Sequence, residues 1–136
     1  KVDGLTPGAS YELTFTVEVL TMDSAGSYDG GGGPVIVGGM FADSPMKETN
    51  QDGLVALWLD DRELDTSIDT VTLGDIELPE GLGGDWRIKR VTNDIEGYSA
   101  EANMDGEAWL YIGVWTGHLG YNDFYMTRAA VELDEY

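Results

Sequence analysis

Tyr11, Leu13, Phe15, Val17 and Val19 alternate with Glu12, Thr14, Thr16 and Glu18. A period of two puts every apolar side chain on one face of an extended chain, the pattern of a half-buried antiparallel strand. A second apolar stretch has a different texture. Trp109, Leu110, Tyr111, Ile112, Val114 and Trp115 run almost unbroken, too dense for an edge strand, so a central position is expected. Asp105-Gly106 precedes that run and reads as a hairpin turn, because both turn positions take φ > 0. A two-residue loop there sets Ala102 opposite Trp109, Ala100 opposite Tyr111 and Tyr98 opposite Gly113. These pairs alternate small with large on one face, so Trp109 and Tyr111 are expected in the core. Leu110 and Ile112, opposite Glu101 and Ser99, then fall on the more polar face. A slip of one residue would exchange the two faces.

Shorter strands are expected at Pro34–Val37, Leu54–Leu59, Thr70–Leu73 and Trp86–Val91, with a bend at Gly38-Gly39 and turns at Asp43-Ser44-Pro45 and Asp52-Gly53. Met22–Gly33 reads as a loop; it lacks the Lys-Ser/Thr and following helix that a phosphate cradle needs. Leu5-Thr6-Pro7-Gly8 is a turn, and with Tyr11 it resembles the tyrosine corner of fibronectin-like sandwiches. No segment reads as a helix longer than a turn or two. The expectation is an all-β, antiparallel β-sandwich of jelly-roll type, one domain over residues 1–136.

Charge changes the picture of partners. The 136 residues carry 26 Asp and Glu against 7 Lys and Arg, a net charge of −19. Such a field repels nucleic acid and anionic membranes, and neither is expected as a partner. No apolar run reaches the roughly 18 residues of a membrane span. The absence of Cys removes disulfides and thiolate metal sites. A hydrophobic content of 42% argues for a packed core rather than a disordered chain. The sequence opens Lys-Val-Asp rather than Met, which reads as a mature form or fragment of a longer exported protein.

Several positions together resemble an uncharacterised family of bacterial secreted proteins and lipoproteins. They are Gly4-Leu5-x-Pro7-Gly8-x-x-Tyr11, Val35-x-Val37-Gly38, Leu73-Gly74-Asp75-Ile76, Trp86-x-x-Lys89 and Asp105-Gly106-x-x-Trp109-Leu110-x-x-Gly113. The resemblance implies a galactose-binding-like jelly-roll of the kind used as carbohydrate-binding modules, and an extracytoplasmic location. It implies no catalysis. Relatives carry Asp-Ser-Gly where this chain has Trp115-Thr116-Gly117.

The reactive side chains point the same way. His118 is the sole histidine, no Ser sits in a nucleophile elbow, and there is no second His to complete a triad or metal site. Jelly-roll glucanases carry Glu-x-Asp-x-x-Glu, but after Glu63-Leu64-Asp65 this chain has Ile68, so no enzyme is expected. The expected ligand site is the end loop holding Trp115, His118, Tyr121, Asn122 and Asp123. Sugar rings stack on aromatics there while Asn and Asp bind hydroxyls; the alternative is that Trp115 and Tyr121 close the end of the core. Asp60, Asp61, Glu63 and Asp65 in one loop, or Asn122 and Asp123 before the last strand, are candidate calcium ligands, since Ca2+ takes several oxygens without strict geometry; a solvated acidic loop is the alternative. No other cofactor is expected. The functional readings are a non-catalytic glycan-binding module and a structural or protein-interaction module without a small ligand.

Overall fold

The computed structural model describes residues 1–24, 33–49, 55–59, 62–63, 69–95, 97–115 and 124–136, with 55–59 and 62–63 described for backbone alone. The strands are β1 (Val2–Asp3), β2 (Ser10–Thr21), β3 (Val35–Phe41), β4 (Met46–Thr49), β5 (Val55–Leu59), β6 (Arg62–Glu63), β7 (Val71–Asp75), β8 (Arg87–Thr92), β9 (Ser99–Glu101), β10 (Glu107–Trp115) and β11 (Tyr125–Glu135). The described residues contain no helix, so none is long and apolar enough to cross a membrane. One sheet has the order β1-β10-β3-β7. A second has the order β11-β2-β8, with β9 also on β2, and β4-β5-β6 forms a third. The first two are antiparallel and pack face to face as a sandwich, an arrangement compatible with a jelly-roll.

The alternation in β2 is realised along its whole length. Tyr11, Leu13, Phe15, Val17 and Val19 are buried and carry the core, joined by Ile36 and Met40 from β3, Leu73 from β7 and Val91 from β8. β2 passes from β8 to β9 on one side, and the gap between them is closed by a side chain. Asn93 donates from Nδ2 to the Leu13 carbonyl at 2.9 Å and accepts at Oδ1 from the Phe15 N–H at 2.7 Å. The amide thus stands in for a strand residue, and two buried backbone groups keep their partners. At the turn before β2, the Tyr11 hydroxyl accepts from the Thr6 N–H at 2.8 Å, the tyrosine-corner bond expected from the sequence. It donates in turn to Glu135.

β3 differs from expectation. It runs unbroken through Gly38-Gly39 rather than bending there, and Gly38 lies against the Phe15 ring. A Cβ on Gly38 would come within 2.8 Å of that ring, so glycine lets the two sheets approach. Tyr98 ties the same place together: its ring lies 6.1 Å from that of Phe15, and its hydroxyl accepts from the Met40 N–H at 3.1 Å. Burial pushes the Tyr98 hydroxyl above the ordinary tyrosine pKa.

The Asp105-Gly106 hairpin register is overturned. β9 pairs with β2, not β10. The reversal closes from the Asn103 N–H to the Glu107 carbonyl at 2.9 Å and spans Met104, Asp105 and Gly106. Gly106 takes φ +72°, and a Cβ there would run into the Leu5 carbonyl. A loop one residue longer carries the chain across the sandwich into the other sheet. Ala108 is therefore buried, and Leu110 and Ile112 follow it onto the core side. Trp109, Tyr111 and Trp115 take the opposite face, the inverse of the expected arrangement. Trp109 lies beneath the Lys1 ammonium, 5.7 Å from its ring centre, and the Tyr111 ring sits 6.4 Å from Phe41. β10 is interior to its sheet only where β1 pairs with Glu107 and Ala108; beyond that its outer edge has no strand partner among the described residues.

Candidate functional site

Of the expected end-loop site, only Trp115 falls within the described residues. It is the last residue of β10, opposite Val35, and 51% exposed. His118, Tyr121, Asn122 and Asp123 lie outside them, as do Asp60, Asp61 and Asp65 of the candidate calcium loop; Glu63 is described only as backbone in β6. Among the described residues no three His, Asp or Glu side chains converge as a cation site.

The described residues bring together a different surface, on the outer face of the β11-β2-β8 sheet. Residues paired across antiparallel strands share a face. Since Phe15, Val17 and Val19 point inward, Thr16, Glu18 and Leu20 point out. Their partners on β8 are Thr92, Arg90 and Ile88, and on β11 Ala130, Arg128 and Tyr125. Glu18 therefore stands between two arginines, one from each neighbouring strand. Thr16, Glu18, Arg90, Arg128, Ala130 and Glu132 line a shallow depression of about 280 Å³.

A β-bulge decides what stands at the end of this depression. The β11 register shifts between Met126 and Arg128, leaving Thr127 as the extra residue. The Thr127 hydroxyl donates to the Glu18 carbonyl at 3.2 Å. Without the bulge, alternation from Arg128 would turn Met126 outward and Tyr125 inward. With it, Tyr125 comes onto the outer face, the re-aiming of a side chain that bulges commonly perform. There the Tyr125 ring meets Trp86, which precedes β8, at a centroid distance of 5.6 Å and an angle of 50°. Both rings stay open to solvent, Trp86 at 45% and Tyr125 at 59% exposure, and Ile88 beside them is 64% exposed.

Chemically, the surface pairs an aromatic platform with a set of hydrogen-bonding groups. Two guanidinium forks donate, two carboxylates accept, and the Thr16 hydroxyl does both. Arg90 reaches the Thr16 hydroxyl at 3.5 Å. Neither Arg90 nor Arg128 has a carboxylate within 4 Å among the described residues. Sequence reasoning passed over Trp86 and Tyr125 because they lie 39 residues apart (125 − 86) in a chain read segment by segment. The available signal was the pair of outward positions on either side of β2, and the bulge hid one of them. Comparisons of the chain with protein-family models, with curated proteins and with solved structures found no match.

Proposed function

We propose that the protein is an exported, non-catalytic module that binds carbohydrate on the outer face of the β11-β2-β8 sheet. The observation that supports this is the exposed Trp86–Tyr125 ring pair beside the Arg90–Glu18–Arg128 row. Large aromatics open to water are costly to leave bare, and two tilted rings offer a face for the C–H side of a pyranose. Once a ring is stacked there, its hydroxyls extend over the depression. Guanidinium forks then donate to sugar oxygens, while Glu18 and Glu132 accept from sugar hydroxyls. The rigid strands hold these groups in place before the ligand arrives, which lowers the ordering cost of binding.

A glycan array probed with the intact chain, followed by calorimetry on the best sugar, tests the reading. Trp86→Ala and Tyr125→Ala should each cost about 1 kcal/mol or less in stability, as exposed substitutions do. Each should nevertheless weaken sugar binding about tenfold or more, as loss of a stacking anchor does. Trp115→Ala, at the far sheet, should leave binding unchanged. Binding that survives loss of both Trp86 and Tyr125 would overturn the proposal. Binding lost only with Trp115 would move the site back to the end of β10.

A further inference from the structure

We propose that β11 is a dimerisation edge, on which a second copy of this chain pairs antiparallel about a two-fold axis through Val131. β11 is eleven residues long, and its outer edge has no strand partner among the described residues. Long free edges invite another strand. This one also leaves apolar side chains open: Ala129 is exposed, and Val131 and Leu133 are only partly covered although they point toward the core.

Charge selects the occupant and the register. On the outer face Asp134 stands directly opposite Glu12 of β2, a like-charge cross-strand pair that destabilises the sheet. No cation lies within 4 Å of either carboxylate among the described residues. Arg128, on the same face of β11, likewise has no ion pair there. A two-fold axis through Val131 sets Arg128 of each copy opposite Asp134 of the other, so each chain supplies the cation its partner lacks. That register pairs Arg128 to Asp134 throughout, all of it beyond the Thr127 bulge. It also packs Val131 on Val131 and Ala129 on Leu133 at the edge of the core. Axes through Arg128 or Glu132 would set like charges opposite each other, and an axis through Ala130 leaves the Asp134–Glu12 pair uncompensated. The edge of β8 is unsuited to the same use, because Arg87, Lys89 and Arg90 follow closely along it. In the dimer the two β11-β2-β8 sheets become one six-stranded sheet, with both outer faces on the same side.

Sedimentation of the whole chain from about 10 µM to about 1 mM tests this, at physiological ionic strength, where a screening length of about 8 Å mutes the −19 charge of each copy. A concentration-dependent dimer is expected. Arg128→Asp and Asp134→Arg should each weaken it about tenfold, since two attractive pairs become two repulsive ones. The double exchange, Arg128→Asp with Asp134→Arg, should restore it. Asp134→Arg relieves the repulsion from Glu12 within its own chain, so it should melt no lower than the parent; weaker dimerisation then cannot be put down to misfolding. Asp134 does not line the sugar depression, so the same variant should keep any sugar binding, which separates the two proposals. A monomer across the whole range, a dimer indifferent to both single exchanges, or a double exchange that fails to restore association would each overturn the proposal.

Discussion

The two sheets of the sandwich bury their residues in opposite ways. The β11-β2-β8 sheet has a dry face and a wet face: its inward residues fill the core, and its outward ones are Thr, Glu, Arg and two open aromatics. The β10-β3-β7 sheet is apolar on both sides where β3 runs. Ile36 and Met40 face the core, yet Val37 and Phe41 on the reverse are only 3% and 5% exposed. A strand with one wet face advertises its orientation through its polar residues. A strand covered on both faces, as β3 is, does not, and β10 beside it carries apolar residues on both of its own faces. An open polar face is where a soluble ligand can be read, so the wet sheet carries the candidate site.

The largest expected effect tests which aromatic is core. Phe15, fully buried against Gly38 and Tyr98, should cost about 3–5 kcal/mol when cut to Ala. Trp109→Ala, on the far side of its sheet beneath Lys1, should cost about half as much. Urea melts of the two variants make the comparison, and an equal loss would return Trp109 to the core.

Next comes the ladder gap in the wet sheet. Asn93→Ala orphans the Phe15 N–H and the Leu13 carbonyl in a buried setting, at about 1–3 kcal/mol for each group left unmade. Asn93→Asp keeps the acceptor but loses the donor, so it should still fall well below the parent. If Asn93→Ala melts like the parent, water or another group is meeting those two atoms.

The contact between the sheets is sensitive to added as well as to removed volume. Gly38→Ala should lose about 1–3 kcal/mol, as overpacking does, because its Cβ meets the Phe15 ring. The double variant Gly38→Ala with Phe15→Leu should recover part of that loss. An unchanged stability for Gly38→Ala would mean that the sheets can part there at no cost.

The smallest effect is confined to alkaline solution. Burial raises the pKa of Tyr98 and, on the other sheet, of Tyr111. A raised folded pKa stabilises the fold fully below the unfolded value of about 10 and is lost as pH rises through the folded one. The melting temperature should therefore fall above about pH 10, and less steeply in Tyr98→Phe and in Tyr111→Phe. A fall in both variants as steep as in the parent would place the alkaline loss elsewhere.

The strand at β2, the tyrosine corner at Thr6 and Tyr11 and the all-β class were legible in the sequence, because each rests on contacts between near neighbours or on a period of two that only one conformation satisfies. The orientation of β10 was not. A third loop residue before Glu107 inverted every side chain after it, and a run with apolar residues on both faces held no polar marker to expose the error. The candidate site was hidden for a related reason. Local alternation turns Tyr125 inward, and only pairing with Leu20 across the Thr127 bulge turns it out to meet Trp86. The same holds for Asn93, whose amide became a strand residue only because β8 and β9 leave a gap along β2. Local pattern decided which segments are extended. Loop length, bulge and strand order, fixed by packing between distant segments, decided which faces they show and which residues meet there.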